Sequence, residues 1–209
     1  MKNIYVFGSV VRGEIDQYSD VDLLLITDEK IEDIDPNKYS IYTPQRIQEM
    51  YKEGNPFAWH LHYESKLVYT DHINFLEDLK SPEPYKNGKE DLIKFQKLFV
   101  DSLKSIEEDQ FSLTFDLAMI FLAIRNFATC YSLSKMERPV FSRNSFERIG
   151  NKSLIIDERV KKLLMLARIS STRGINTYIS NEDLELVFLE VKKMKSWFNQ
   201  ILNDYESGV

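Results

Sequence analysis

The stretch FGSVVRGEIDQYSDVDLLL, residues 7–25, decides the fold of the N-terminal part of this chain. It holds two aspartates one residue apart, Asp20 and Asp22, and a Gly-Ser pair, Gly8-Ser9, upstream of them. In a β-strand, residues i and i+2 point to the same face of the sheet. If both acids open the strand of the apolar run Val21–Thr27, we expect their carboxylates to project from one face near its start.

Two neighbouring carboxylates repel each other unless a cation lies between them. Mg²⁺ takes such oxygen ligands, and waters and substrate phosphates usually complete its coordination. Gly8-Ser9 follows the first strand-like run, where a glycine lets the backbone approach a phosphate closely, and Arg12 adds a cation nearby. These parts match what phosphoryl or nucleotidyl transfer needs, a metal clamp beside a phosphate cradle. The alternative is a solvated loop that runs into an ordinary strand.

The first part of the chain consists of short strand-like and helical segments. Strand-like runs occur at Ile4–Phe7, Val21–Thr27, Lys38–Thr43 and Lys66–Tyr69. Pro44–Glu53 predicts a helix that begins at a proline and ends before Gly54. Phe57–Glu64 is compatible with either a short helix or a strand.

The second part of the chain has the periodicity of long helices. Apolar residues repeat every three to four positions in Leu92–Ile106, Val160–Ala167 and Leu184–Ile201. Phe111–Met136 is apolar nearly all round at its centre and predicts the central, buried helix of a bundle. We therefore predict an α+β fold: a small mixed-sheet domain over residues 1–83, then an all-α helical bundle over residues 84–209, with residues 81–91 as the linker.

The opening stretch closely resembles the signature of the DNA polymerase β-like nucleotidyltransferase superfamily. That signature is an apolar residue, Gly, Gly or Ser, a gap of about ten residues, then Asp, an apolar residue and Asp or Glu. Phe7-Gly8-Ser9 and Asp20-Val21-Asp22-Leu23 fill it. The sequence is most similar to the minimal and antibiotic nucleotidyltransferases of this superfamily.

The resemblance implies transfer of a nucleoside monophosphate from a nucleoside triphosphate to a hydroxyl of a small molecule or a protein, with release of pyrophosphate. It also implies that Asp20 and Asp22 are catalytic and bind the Mg²⁺ ions of a two-metal site. The nucleotide-binding candidates are Gly8, Ser9, Arg12 and Ser19.

One position departs from the family pattern. Relatives carry a third carboxylate on a later strand, and the matching segment Tyr39–Pro44 has Ser40 in its place. A serine supplies no charge to a metal and does not act as a base near neutral pH. Asp35, Glu64 or a residue of the bundle could replace it. A catalytically impaired regulator that binds nucleoside triphosphate, or an antitoxin-like module that binds a protein, is therefore the alternative function.

The helical half resembles either the kanamycin-nucleotidyltransferase-like bundle or the related HEPN domain. Arg125-Asn126 fits the start of the HEPN arginine motif, but Cys130 and Tyr131 occupy the region of its histidine. We therefore expect no HEPN-type ribonuclease activity. His60 and Glu64 would share a face in a helix, but without a further ligand at zinc spacing we expect no zinc site.

Composition narrows the environment of the protein. The net charge of −6 and the pI of about 5.2 do not suggest a nucleic-acid partner. A single cysteine suits a reducing compartment. The N-terminal residues lack the h-region of a signal peptide, and the uncharged stretch Leu117–Ile124 is far shorter than a membrane span. We expect a cytoplasmic protein without a membrane partner, and a homodimer stays open.

Overall fold

The computed structural model describes residues 1–15, 17, 19–29, 35–174 and 178–207. The chain divides into two compact units, Met1–Lys86 and Asn87–Val209. Within the opening stretch, Asp16 and Tyr18 lie outside the described residues. The limits of the nucleotidyltransferase domain, residues 1–83, stay a prediction.

The first unit is built on a four-stranded sheet with the order β3-β2-β1-β4. The strands are β1 Lys2–Phe7, β2 Asp22–Thr27, β3 Tyr39–Tyr42 and β4 Ser65–Thr70. β1 is antiparallel to β2 and β4, whereas β2 is parallel to β3. The sheet is therefore mixed, and all the strands that the sequence predicts are present.

Among the described residues of this unit, four helices accompany the sheet, and local capping explains where two of them begin. They are α1 Ser9–Arg12, α2 Pro44–Glu53, α3 Pro56–Glu64 and α4 Phe75–Asp78. The Thr43 side chain caps α2, and left-handed Gly54 ends it, so α2 has the predicted limits. The segment left open as helix or strand is the helix α3, because a proline at its start and the Asn55 cap favour a helix there.

The core of the first unit lies on one face of the sheet. Along β1, burial alternates, so Tyr5 and Phe7 point into the core. Leu24 and Ile26 of β2 lie on the same face, and α2 and α3 cover it with apolar side chains. These covering residues are Ile47, Met50, Tyr51, Ala58 and Leu61.

The second unit is helical. Its long helices are α5 Gly88–Glu108, α6 Leu113–Lys135, α7 Glu158–Arg173 and α8 Asn181–Glu206. α6 packs against both α5 and α7 and is the central helix that the sequence predicts. A mixed sheet followed by long helices confirms the predicted α+β class.

Among the described residues, α6 is long and apolar enough to cross a membrane by length and composition alone. Of its most apolar 18-residue window, 56% is buried inside the structure. Its Phe127 ring centroid lies 4.5 Å from that of Phe198 and 5.1 Å from that of Trp197, both on α8. The burial and these ring contacts are those of a core helix of a folded bundle.

Candidate functional site

The Gly-Ser turn and the acid pair lie at the same end of the sheet. β1 ends at Phe7, which is the register partner of Asp22, the first residue of β2. The chain leaves β1 through Gly8, and Ser9 begins the single helical turn α1. The antiparallel pairing of β1 and β2 therefore brings together two motif halves that are ten residues apart in sequence.

Gly8 packs directly against the carboxylate of Asp22. A Cβ atom at position 8 would lie 2.8 Å from Oδ2 of Asp22, closer than real Cβ contacts occur. The φ angle of Gly8 is +76°, in a region that L-amino acids with side chains rarely adopt. The backbone conformation therefore favours glycine at this position, and a side chain there would also displace the Asp22 carboxylate.

The two acids differ in their relation to β2. The strand begins at Asp22, so the prediction that both acids open it is wrong for Asp20, which precedes the strand. β1, the antiparallel partner of β2, ends opposite Asp22, so neither Val21 nor Asp20 has a register partner in β1. Both Asp20 and Asp22 are exposed.

Ser40 lies where the resemblance implies a third acid. It is the register partner of Leu24 in the parallel pair β2–β3, so both side chains share a face with Asp22. Asp35 is exposed before β3, where it accepts the Asn37 backbone N–H at 3.0 Å and lies 3.9 Å from the Lys38 ammonium. Within the described ranges, no three His, Cys, Asp or Glu side chains come together in a group that could hold a metal.

Glu64 is engaged with the turn that follows β1. Its carboxylate pairs with Nη1 of Arg12 and lies 2.9 Å from Nε2 of His60. Nε of Arg12 also donates to Glu14 at 2.8 Å. The side chains of Glu64 and Arg12 are only 12% and 17% exposed. His60 and Glu64 share a helix face, as the helical alternative required, and the partner of Glu64 is a cation from the motif turn, Arg12.

The remaining candidates border the same loop. Ser9 is half-buried, and its backbone carbonyl accepts the Glu14 N–H at 2.9 Å. The Ser19 hydroxyl donates to the Glu14 carbonyl at 3.4 Å. Glu14 therefore joins the two halves of the motif. The structure collects all the candidates around one loop, and their nucleotide-binding roles stay predictions.

The sequence does not predict the ion pair formed by Arg12 and Glu64. Their side chains meet across 52 residues of sequence. No spacing rule connects a residue after β1 with the last residue of α3. The i,i+4 spacing of His60 and Glu64 was the available signal, and it indicates a contact between these two residues but not with Arg12.

A mixed sheet with a Gly-Ser turn packed against an aspartate defines a domain of the nucleotidyltransferase type. The family model described as "Nucleotidyltransferase domain" matches residues 1–148. The chain belongs to this family, and it is accordingly a transferase that uses a nucleoside triphosphate. The matched region extends beyond the first unit and includes α5 and α6 of the second.

No curated protein matches this chain. Among solved structures, it is similar to a spectinomycin adenyltransferase from Enterococcus faecialis, crystallised with ATP and spectinomycin. The sequence identity is 14% and the TM-score 0.46, and the match covers 96% of this chain and 90% of that one.

Proposed function

We propose that this protein is a Mg²⁺-dependent nucleotidyltransferase that moves a nucleoside monophosphate from a nucleoside triphosphate to a hydroxyl acceptor and releases pyrophosphate. One observation carries the proposal: the Gly8 turn and the Asp22 carboxylate are in contact, so a phosphate cradle and a metal ligand form one site. Family membership supplies the reaction class.

The donor set fits a hard divalent cation. Asp20 and Asp22 offer exposed carboxylate oxygens, the ligands that Mg²⁺ prefers. The absence of a Cβ at Gly8 leaves the space beside Asp22 open to a phosphate oxygen. When bound, the metal would neutralise charge on the phosphates and hold them for in-line attack.

The chain's own groups then orient the triphosphate. The Ser9 hydroxyl is a donor suited to phosphate oxygens. The acceptor oxygen forms a bond to the α-phosphorus, while the bond from the α-phosphorus to the oxygen that bridges the α- and β-phosphates breaks. Pyrophosphate leaves with that electron pair. The acceptor hydroxyl gives up its proton to a base other than Ser40 or to solvent, since a serine does not accept it near neutral pH.

The first experiment tests the metal and nucleotide site. Binding of ATP, GTP, CTP and UTP is measured by calorimetry with and without Mg²⁺, for the wild type and for the double variant Asp20→Asn, Asp22→Asn. We expect Mg²⁺-dependent binding in the wild type and its loss in the double variant. Asp78→Asn, an exposed acid on α4 in the same unit, is the matched control and should bind as the wild type does. Unchanged binding in the double variant would contradict the site assignment.

The second experiment tests turnover. Pyrophosphate release is followed with each labelled nucleoside triphosphate and two panels of acceptors, small polyhydroxylated molecules and proteins. Label transferred to an acceptor identifies its class. The Ser40 position supports the alternative, a regulator or antitoxin-like module that binds nucleotide without turnover. Mg²⁺-dependent binding without pyrophosphate release on any acceptor would favour that alternative.

A further inference from the structure

The turn that carries Gly8 and Ser9 is too short to maintain its own geometry. α1 has four residues, Ser9–Arg12, and Gly13 ends it with a φ angle of +72°. A single helical turn is unstable by itself, because fixing its backbone costs more free energy than its few hydrogen bonds return. Tertiary contacts must therefore hold this turn in place.

Glu64, the last residue of α3, holds the turn at both ends. Its backbone carbonyl accepts the Gly8 N–H at 3.1 Å, at the beginning of the turn. Its carboxylate pairs with the Arg12 guanidinium, at the end of the turn. One residue thus fixes where the turn starts and where it finishes.

Glu64 is itself held by its surroundings. His60, one helical turn earlier, places Nε2 2.9 Å from the Glu64 carboxylate and is 18% exposed. The His60 ring packs edge-on against Phe7, the residue before the turn, with 5.6 Å between ring centroids. Removing one partner of such a largely buried ion pair leaves a charge without compensation.

Arg12 could either contact phosphate directly or help to hold the turn, and its neighbouring charges favour the second role. Its single positive charge faces two carboxylates, Glu14 and Glu64, so protein groups already neutralise it. We infer that Glu64 is a positioning residue that acts through Arg12 and holds the Gly8-Ser9 turn in the geometry that receives the triphosphate. The inference rests on the proposed function, and it replaces the direct phosphate contact that the sequence suggests for Arg12.

Nucleotide affinity distinguishes a positioning role of Arg12 from a direct contact with phosphate, because the two roles predict different effects of Glu64→Gln. The affinity for Mg²⁺–ATP is measured for Glu64→Gln, Arg12→Gln and the double variant. We expect each single variant to weaken binding by about tenfold or more, as misplaced supporting groups do, and the double variant to be no worse than either one. If Arg12 contacts phosphate directly, Arg12→Gln weakens binding while Glu64→Gln leaves it unchanged or tightens it, and the inference fails.

Two further variants show whether the link to α3 matters. Glu14→Gln removes the other carboxylate from the same guanidinium but leaves the contact with α3, so we expect a smaller loss of affinity. Glu64→Asp keeps the charge and should recover part of the affinity that Glu64→Gln loses. KM for the nucleotide should rise more than kcat falls, whereas a merely structural role lowers the amount of folded protein and leaves KM unchanged.

A measurement without nucleotide keeps the inference testable even if the proposed function is wrong. Amide hydrogen exchange is followed at Gly8 and Glu14, whose N–H groups bond to Glu64 and Ser9. In Glu64→Gln we expect exchange at both amides to accelerate by about tenfold or more, while exchange in α5–α8 stays unchanged. Unchanged exchange at the turn in the folded variant would overturn the inference, whatever the protein does with nucleotides.

Discussion

The motif turn of the first unit and the aromatic core of the second are stabilised by different means. The turn is one helical turn long. It is fixed by Gly8, where a side chain would crowd Asp22, and by the largely buried ion pair of Arg12 and Glu64. In the second unit, Phe127 and Phe198 pack with ring centroids 4.5 Å apart, among apolar neighbours. We therefore expect substitutions in the turn to change function more than stability, and substitutions in the core to change stability.

The largest effect expected is on the stability of the aromatic core. Phe198 is 1% exposed and contacts the rings of Phe99, Phe127 and Trp197. Phe198→Ala should lower the free energy of unfolding by about 3–5 kcal/mol, because a cavity replaces the ring. Urea denaturation followed by circular dichroism measures this change.

Leu189 supplies the control, because it lies on the same helix and is 74% exposed. Leu189→Ala should change the free energy of unfolding by no more than about 0.5 kcal/mol. If Phe198→Ala costs no more than this control, the second unit is not held by its aromatic core and the contrast between the units fails.

The next largest effect is on activity. Gly8→Ala places a methyl group 2.8 Å from Oδ2 of Asp22, in a backbone conformation that disfavours any side chain. We expect kcat/KM to fall by about a hundredfold, because a displacement of about 1 Å at a reacting group has that cost. Steady-state kinetics, with the melting temperature recorded in parallel, measures both consequences.

Gly13→Ala is the control for a positive φ angle in the same turn without a contact to Asp22. Gly13 has a similar φ angle of +72°, but a Cβ atom there meets nothing within 4 Å. Gly13 has a ψ angle of 17°, the left-handed helical conformation, whereas Gly8 has a ψ angle of -139°, which residues with a side chain tolerate less well. Gly13→Ala should therefore lose less stability than Gly8→Ala, and its loss of activity should be clearly smaller. Equal losses of activity would show that strain in the turn, and not contact with the acid, limits the site.

The sequence predicts elements whose causes are local. Pro44 and Gly54 mark the two ends of α2, and the helical periodicity of residues 184–201 locates α8. Residues 7–25 also contain the motif and its chemistry. The sequence does not predict the order of the strands in the sheet, β3-β2-β1-β4, because strand pairing depends on contacts between residues that are distant in sequence.

The candidate site divides in the same way. Gly8 and Asp22 are predictable as site residues because their order and spacing match the family signature, whereas their contact depends on the pairing of β1 with β2. Asp20 lies outside the strand because the partner strand ends, which is a tertiary fact. The pairing of Arg12 with Glu64 depends on where α3 ends over the turn, and no periodicity encodes that position.

An intermediate effect concerns a polar contact inside the second unit. Asp116 is 5% exposed and accepts the hydroxyls of Ser105 at 2.9 Å and Ser112 at 2.6 Å. Asp116→Ala should lower the free energy of unfolding by about 2 kcal/mol, because two hydroxyls lose their acceptor. Asp116→Asn keeps one acceptor oxygen and should cost less.

Asp101→Ala is the control for this contact. Asp101 is an exposed acid on α5 that pairs with Lys97 at 2.6 Å. Exposed pairs of this kind contribute about 0.5 kcal/mol or less. The free energy of unfolding of both variants is measured by urea denaturation. If Asp116→Ala and Asp101→Ala lower it equally, the buried polar contact stabilises the second unit no more than an exposed ion pair does.

The smallest effect expected is at the start of α8, and it depends on pH. The Ser180 hydroxyl accepts the Asp183 backbone N–H, and Ser180 donates in turn to the Asp183 carboxylate. Donation from the Ser180 hydroxyl, then from its backbone N–H, and the nearby Arg159 hold the pKa of Asp183 below its usual range. Ser180→Ala removes this cap and should cost about 1 kcal/mol near neutral pH.

The sign of the pH dependence follows from the direction of that shift. A carboxyl group whose pKa is lowered by folding stabilises the protein above its unfolded pKa, and the contribution disappears as pH falls through the folded value. The wild type should therefore lose the part of its advantage over Ser180→Ala that depends on the ionised carboxylate below about pH 4, where aspartate protonates, and keep the part that comes from the bond to the Asp183 N–H. Ser207→Ala, which removes a hydroxyl bond to the Asn203 carbonyl at the other end of α8, should stay offset from the wild type by a constant amount. Urea titrations between pH 3 and pH 7 compare the three proteins. If the difference in unfolding free energy between the wild type and Ser180→Ala is also independent of pH, the cap acts without the Asp183 carboxylate.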